Sequence, residues 1–348
     1  MAPKIVPVIL FGLGHVNRGW LEIWKAHAPH IAADPGIRFK IVAVADSSGV
    51  AVSNDGYDAD ELIKLKKDKG SVRTLNGFLP GVPSSEIVNH VQASVMIESS
   101  PGNLIDGQPG LNAARLALQK GMHVVFANKA PLIFAYDELH SLSSSNRRQI
   151  RFSATVCGGL PVVNVIQRDL RLARILSVRG IFNATTNFIL RELEKGGDMD
   201  AAVKEAQRIG AAEADPSHDI DGHDSANKLF IVMKAAGLFK GSIHDIHVSG
   251  IRDVCAELLS KARQAGKKIK LVADATPDAQ GSWYLSVSPR EVDATSFLGT
   301  CDGWEMGIEI ASDLYEKVYL KNYEAEPTGT SAAVMRDVLD IEGGGNNY

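Results

Sequence analysis

The chain has 348 residues, of which 45% are hydrophobic and 22% are charged, and its formal net charge is -4. This length allows two domains with a sizeable core, and the slightly acidic balance argues against a nucleic-acid partner or an anionic membrane surface. Three cysteines without CxxC spacing indicate a reducing compartment and no metal site.

The chain opens with a predicted strand, a glycine-rich turn and an amphipathic helix. Residues 4–11 form a nearly continuous apolar run, as in a strand buried in a parallel sheet. The turn GLGHVNRG follows, and a second predicted strand at 39–45 ends in an acid. This order is the dinucleotide-binding fingerprint in its required context. It predicts cofactor contacts at Gly12, Gly14, His15, Val16 and Asn17, the last of which occupies the third glycine position.

The same amino-terminal run is interrupted by glycine far short of a membrane span. We recognise no signal or transit peptide in it, and we therefore expect a cytoplasmic protein.

Asp46 stands where an acid accepts hydrogen bonds from the adenosine ribose of the cofactor. The residues after it, Ser47 to Gly49, include no cation. We therefore expect NAD to be preferred over NADP, while a plain strand end at Asp46 is the alternative. A lysine-rich predicted helix at 62–69 is interpreted as a solvated face.

Two further buried strands are predicted at 91–98 and 122–127, and each ends in a polar turn. The carboxyl ends of parallel strands are where open α/β sheets bind ligands. Ser99 and Ser100 follow the first of these strands, and Asn128 and Lys129 follow the second. We expect the two serines and Asn128 to contact the cofactor, and Lys129 to face a ligand.

From about residue 151 the pattern changes to longer amphipathic strands, including one predicted at 243–251. The fold class is therefore α/β with a dinucleotide-binding domain at 1–150. An α+β domain follows at 151–321. The last segment, 322–348, is expected to return to the first domain.

Residues 210–228 predict an acidic loop that leads into a helix, with Asp221 as its N-cap and Gly237 as its stop. Asp224 and Lys228 are four residues apart and would share one helix face. A lysine beside carboxylates can titrate or orient a substrate. An ordinary surface ion pair is the alternative.

Six stretches of the chain together resemble homoserine dehydrogenases. They are GLGHVNRG (12–19), ESSPGNLIDGQPG (98–110), HVVFANKAPL (123–132), GGLPVV (158–163), GIFNATTNFIL (180–190) and AEADPSHDIDGHDSANK (212–228). The resemblance implies a Rossmann-type NAD(P)-binding domain and a substrate and dimerisation domain with a mixed sheet. It also implies a homodimer that interconverts L-homoserine and L-aspartate 4-semialdehyde.

Carried over by position, the resemblance implies two catalytic lysines, Lys129 and Lys228. It also implies a set of substrate-binding residues: Glu213, Asp219, Asp224, Asn183, Thr185 and Thr186. A lysine base for the hydroxyl proton and carboxylates for the substrate ammonium agree with this chemistry.

Three departures from the family pattern leave a second function open. Ser153 replaces a glutamate on a stretch that holds a monovalent cation in the family, Ala211 replaces an aromatic residue, and the segment 322–326 lacks the usual glycines. The alternative is an NAD(P)-dependent reductase of the same kind that acts on a different small amino alcohol, aldehyde or imine.

Overall fold

The computed structural model describes residues 2–68, 70–209, 212, 215–324 and 327–343. The helices are α1 His15–Ala33, α2 Ala59–Lys67, α3 Gly110–Gln119, α4 Ala130–Ser145, α5 Val162–Asn164, α6 Ala184–Glu194, α7 Met199–Arg208, α8 Ser217–Ile220, α9 His223–Ala235, α10 Ala256–Gln264 and α11 Thr328–Glu342. The strands are β1 Lys4–Phe11, β2 Ile37–Asp46, β3 Gly49–Tyr57, β4 Phe78–Leu79, β5 Val95–Glu98, β6 His123–Phe126, β7 Ile150–Arg151, β8 Ile175–Ile181, β9 His247–Val248, β10 Lys267–Pro277, β11 Trp283–Asp293, β12 Glu305–Ser312 and β13 Glu316–Tyr323.

The chain forms two compact units. The first comprises Met1–Gly159 and Pro327–Tyr348, and the second comprises Leu160–Glu326. The sequence places the corresponding boundaries after residues 150 and 321. Among the described residues, no helix is both long and apolar enough to cross a membrane.

The first unit contains a seven-stranded sheet in the order β4-β3-β2-β1-β5-β6-β7. The strand pairs β2–β1, β1–β5, β5–β6 and β6–β7 are parallel. At one edge of the sheet, β3 pairs antiparallel with β2, and β4 pairs antiparallel with β3. Strand β1 has the predicted bounds, and its last four residues are fully enclosed because neighbours pair on both sides. This is the Rossmann-type α/β architecture that the sequence predicts.

Helix α11 packs in the core of this unit. Val334 and Val338 of α11 share one hydrophobic cluster with Trp20 of α1 and with Val8 of β1. The Ser331 hydroxyl also donates a hydrogen bond to the Val16 carbonyl, with the oxygens 3.0 Å apart. The carboxyl-terminal helix therefore stabilises the beginning of α1, where the nucleotide turn lies.

The second unit contains a six-stranded sheet in the order β13-β12-β8-β10-β11-β9. All of its pairs are antiparallel except β11 with β9. The sheet is therefore mixed, as expected. Its helices α6, α9 and α10 follow in sequence between β8 and β10, so helices and strands are segregated along the chain.

The predicted strand at 243–251 is largely wrong. Only His247–Val248 pairs as a strand, and Ile243–Asp245 forms a 3-10 turn. The Asp245 carboxylate accepts hydrogen bonds from the backbone amide and the hydroxyl of Ser242. This capping box satisfies local backbone groups that a strand would have offered to a neighbour.

Candidate active site

The glycine turn lies between β1 and α1 in the first unit. Gly12 has a φ of 91°, and a Cβ there would lie 2.7 Å from the Ser99 carbonyl oxygen. Gly14 precedes the first residue of α1 and has no atom within 4 Å of its Cβ position. The turn therefore packs closely against Ser99 at Gly12 but leaves open space at Gly14. This space lies beside the amino terminus of α1, which favours an anion.

Asn17 braces this turn from inside. Its side chain is fully buried, and Nδ2 donates to the Gly12 carbonyl oxygen at 2.7 Å. His15 is exposed, and its Nδ1 lies 3.0 Å from an Arg18 guanidinium nitrogen. The Asn17 side chain thus stabilises the turn through a hydrogen bond that a glycine at this position could not make. His15 lies on the exposed side of the same turn.

Asp46 lies at the end of β2, but the expectation that no cation is near it is wrong. Lys66 on α2 forms an ion pair with the Asp46 carboxylate, which also accepts from the Ser48 amide at 2.8 Å and from the Ser48 hydroxyl. Arg73 donates from Nε to the Ser48 carbonyl oxygen at 3.1 Å. Burial raises the pKa of Asp46, but the hydrogen bonds and the Lys66 charge outweigh it and hold the pKa below its usual range.

This cation was missed because Lys66 belongs to a run of lysines that the sequence assigns to a solvated helix face. The run is twenty residues away in sequence, and only the packing of α2 beside the β2–β3 turn brings Lys66 to Asp46. The small residues after Asp46 form this turn, in which Asp46 pairs with Gly49.

The turns after β5 and β6 meet around Glu98, a residue that the sequence analysis does not assign to the site. Its Oε1 accepts from the Ser100 amide at 3.1 Å, from the Ser100 hydroxyl, and from Asn128 Nδ2 at 3.4 Å. Ser99 lies against the glycine turn, with its hydroxyl 3.5 Å from the Gly12 carbonyl oxygen. Three predicted cofactor residues are thus brought together. In the sequence, the feature that could have identified Glu98 is an acid at the end of an otherwise apolar strand.

Lys129 directly precedes α4, where it occupies the N-cap position and is half-buried. Asn128 Oδ1 accepts from the Ala130 amide at 3.0 Å, which satisfies one free donor at the start of this helix. The position of Lys129 is therefore fixed by the same turn that contains Asn128.

In the second unit, Asn183 links two of the three predicted substrate acids, Asp219 and Asp224. Its Nδ2 donates to Asp219 Oδ1 at 2.6 Å and to Asp224 Oδ2 at 2.9 Å. Its Oδ1 accepts from the Thr186 amide at 2.8 Å, so Asn183 is also the N-cap of α6. Thr185 and Thr186 are buried in the first turn of this helix.

Lys228 completes this cluster from α9. Its Nζ lies 2.7 Å from Asp224 Oδ2 and 2.7 Å from the Phe182 carbonyl oxygen. The two side chains of the ion pair are only 13% and 10% exposed. The alternative of an ordinary surface pair is therefore wrong, because this ammonium is largely removed from water and held by two acceptors.

Helix α9 begins one residue later than predicted. Gly222, with a φ of 86°, is its N-cap, and Asp221 instead pairs with Arg252. The predicted stop is confirmed, since Gly237 has a φ of 69° and its amide bonds to the Lys234 carbonyl. Glu213 and Ala211 lie outside the described residues.

The chain is similar to known proteins over most of its length. The family model described as homoserine dehydrogenase matches residues 161–339. A homoserine dehydrogenase from Methanocaldococcus jannaschii is 32% identical over 335 residues, which cover 96% of this chain and 98% of that protein. An NAD(+)-dependent homoserine dehydrogenase from Pseudomonas canavaninivorans is 30% identical over 333 residues, which cover 95% of each.

Solved structures give the same similarity. A hyperthermophilic archaeal homoserine dehydrogenase in complex with NADPH has a TM-score of 0.83 at 26% identity, covering 97% of this chain and 98% of that one. A homoserine dehydrogenase from Thiobacillus denitrificans also has a TM-score of 0.83, at 27% identity, covering 98% of this chain and 74% of that one.

Proposed function

We propose that this chain, which belongs to the homoserine dehydrogenase family, interconverts L-homoserine and L-aspartate 4-semialdehyde with a nicotinamide cofactor. The observation that carries the proposal is the cluster of Asn183, Asp219, Asp224 and Lys228. Such a cluster supplies a group that can exchange a proton with the reacting oxygen. It also supplies carboxylates that can pair with the substrate ammonium group.

Lys228 is the proposed proton carrier. In the reducing direction the aldehyde oxygen takes a proton from the Lys228 ammonium, and in the oxidising direction the hydroxyl proton returns to the Lys228 amine. Asp224 and the Phe182 carbonyl fix the position of this nitrogen, each at 2.7 Å from it. Lys129 is proposed to tune and position the reaction. When bound, the cofactor supplies the hydride to the aldehyde or accepts it from the alcohol.

The proposed substrate contacts come from Asp219, Thr185, Thr186 and Glu213. Asp219 already accepts a hydrogen bond from Asn183, which orients its carboxylate. A carboxylate held in this orientation can pair with the ammonium group of an amino-acid substrate.

The residues of the first unit fit a dinucleotide. The open space at Gly14 allows a close backbone approach, and the amides of the first turn of α1 can bind the pyrophosphate. Asp46 keeps its negative charge at neutral pH, since its pKa is lowered, and it is proposed to accept from the ribose hydroxyls. Ser99, Ser100 and Asn128 are proposed to contact the other end of the cofactor.

NAD remains the proposed preference, but the margin is smaller than the sequence suggests. A 2'-phosphate would be repelled by Asp46 and attracted by Lys66, which lies against the same carboxylate. Because the repulsion from Asp46 and the attraction to Lys66 oppose each other, the two cofactors are expected to differ in affinity by about tenfold or less.

The test is turnover of homoserine and of aspartate semialdehyde with each cofactor, for the wild type and for Lys228→Ala. Loss of the proton carrier should lower kcat by roughly two to four orders of magnitude. Lys228→Arg keeps a cation but cannot release its proton readily, so its kcat should also be low. Lys240→Ala removes an exposed lysine of the same unit and is the matched control.

Two results would contradict this assignment. A Lys228→Ala enzyme with near-normal turnover would exclude Lys228 as the proton carrier. A wild type that turns over uncharged alcohols of matched size faster than homoserine would exclude the proposed substrate. Of the three departures that left a different small amino alcohol, aldehyde or imine open as substrate, Ser153 pairs with Asp337 within the first unit. Ala211 and residues 325–326 lie outside the described residues.

The chain is also proposed to act as a cytoplasmic homodimer. The supporting feature is the outer strand of the second sheet, where Tyr319 and Tyr323 are 47% and 68% exposed. Side chains four residues apart in a strand lie on one face, so these rings offer apolar surface for a second copy of the chain. Light scattering at several concentrations would report the mass of the assembly.

A further inference from the structure

Glu98 occupies a central place at the nucleotide-binding edge of the first sheet. It is the last residue of β5, paired in register with Phe11 of β1 on one side and Phe126 of β6 on the other. Its side chain is fully buried, and the other residues of the strand are Val95, Met96 and Ile97. Glu98 is therefore a buried carboxyl group on a strand whose other residues are all apolar.

The contacts of Glu98 join two separate turns. Its Oε1 accepts from the amide and the hydroxyl of Ser100, in the turn after β5, and from Asn128 Nδ2, in the turn after β6. The Asn128 Nδ2 atom lies 3.4 Å from the Ser100 hydroxyl as well. Through its Oδ1, Asn128 then holds the Ala130 amide at the start of α4, beside Lys129.

The carboxyl group is also tightly enclosed. A Cβ at Gly110, the first residue of α3, would lie 2.7 Å from Glu98 Oε1. Among the described residues, Glu98 Oε2 has no hydrogen-bond partner. Burial raises the pKa of Glu98 to about 7, although the Ser100 and Asn128 bonds oppose this rise.

Such a group is costly to keep for stability alone. A buried acid without a cationic partner destabilises a fold, and an apolar side chain of similar size would pack in its place. What an apolar side chain could not do is accept hydrogen bonds from both turns at once. The physical reason for a long hydrogen-bond acceptor at this position is therefore the geometry of the two turns.

We propose that Glu98 is a positioning residue that fixes Ser100 and Asn128 in the geometry that binds the cofactor and presents Lys129. The proposal rests on the proposed function for the role of Lys129, but its effect on cofactor binding does not depend on which substrate is used. The reach of the acceptor oxygen, rather than its charge, is the required property, because it accepts from an amide, a hydroxyl and a carboxamide, none of which is charged.

Two conservative variants separate reach from charge. Glu98→Gln keeps the acceptor at the same distance from the backbone and has no charge, whereas Glu98→Asp keeps the charge and withdraws the acceptor by one methylene. The measurement is the dissociation constant for NADH and NADPH, from fluorescence titration of the full chain. We expect Glu98→Gln to bind within about threefold of the wild type. Glu98→Asp should bind at least about tenfold more weakly, since withdrawing the acceptor loses the hydrogen bonds that hold Ser100 and Asn128.

Met96→Ala is the matched structural control. Met96 is fully buried on the same strand and on the same face, but it is not part of the Glu98 network. This variant should melt at a lower temperature because a cavity is created, while its cofactor affinity should stay near that of the wild type. In turnover assays, Glu98→Asp should raise the KM for the cofactor and lower kcat. The Glu98→Gln variant should keep both values near those of the wild type.

Three results would overturn the proposal. They are weaker cofactor binding by Glu98→Gln than by Glu98→Asp, wild-type binding by Glu98→Asp, or an equal loss of affinity in Met96→Ala. If the wild type bound cofactor but did not turn over homoserine, the proposed function would fail. The binding comparison would still decide the role of Glu98 in shaping the cofactor site.

Discussion

Asp337 on α11 gives a quantitative prediction about stability. Its carboxylate is fully buried and accepts from the Ser153 amide at 2.8 Å and from the Ser153 hydroxyl at 2.7 Å. Burial raises its pKa from the ordinary value of 3.8 to about 6, against the opposing effects of the Ser153 bonds, Arg336 and Arg151. Ionisation of this group therefore opposes folding.

The size and sign follow from proton linkage. Between pH 3.8 and about 6 the folded chain holds a proton on Asp337 that the unfolded chain has lost, so the free energy of unfolding falls as the pH rises. Above that range both states are ionised and the full cost remains, about 3 kcal/mol for a shift of roughly two pKa units. Asp337→Asn cannot ionise, and its amide can both accept from the Ser153 amide and donate to the Ser153 hydroxyl oxygen.

We therefore expect Asp337→Asn to match the wild type near pH 3.5 and to be increasingly more stable toward pH 7.5. At about 2–4 °C for each kcal/mol, the gain in melting temperature at neutral pH is about 6–12 °C, with about half of it present by pH 5. Thermal unfolding followed by circular dichroism at several pH values measures this gap. Asp340→Asn makes the same charge change at an exposed position of the same helix and is the control.

Two outcomes would refute this reasoning. A gap that is the same at pH 5 and pH 7.5 would show that Asp337 does not titrate in this range. A variant that is less stable than the wild type at every pH would show that the bonds to Ser153 require a carboxylate.

Two further predictions concern the binding of cofactor and substrate. Lys66→Ala should weaken NADP binding more than NAD binding, by up to about tenfold, because it removes the cation beside Asp46; equal losses for both cofactors in a fluorescence titration would contradict this. Asp219→Asn should raise the KM for homoserine roughly ten- to a hundredfold, because it removes a charge proposed to pair with the ammonium, while kcat changes less. An unchanged KM in steady-state kinetics would remove Asp219 from the substrate contacts.

Features set by neighbouring residues could be predicted from the sequence. The bounds of β1 and the turn at Gly12 follow from a continuous apolar run that ends in a glycine. The pair of Asp224 with Lys228 follows from helical spacing. Predictions failed where a local competitor was overlooked, as at Ser242, whose capping box replaces the expected strand.

Contacts between distant segments were decided only by the tertiary structure. Lys66 looks like a solvated lysine in the sequence, yet the packing of α2 places it on Asp46. Ser153 looks like a lost glutamate, yet its hydroxyl pairs with Asp337, 184 residues later. Lys270 stands in a lysine-rich strand, yet it is fully buried and donates to Asn187 Oδ1 at 2.9 Å. Periodicity and spacing determine which face of a helix or strand a residue occupies. The partner that it meets there depends on how the elements pack, and for these three residues the local sequence does not contain that information.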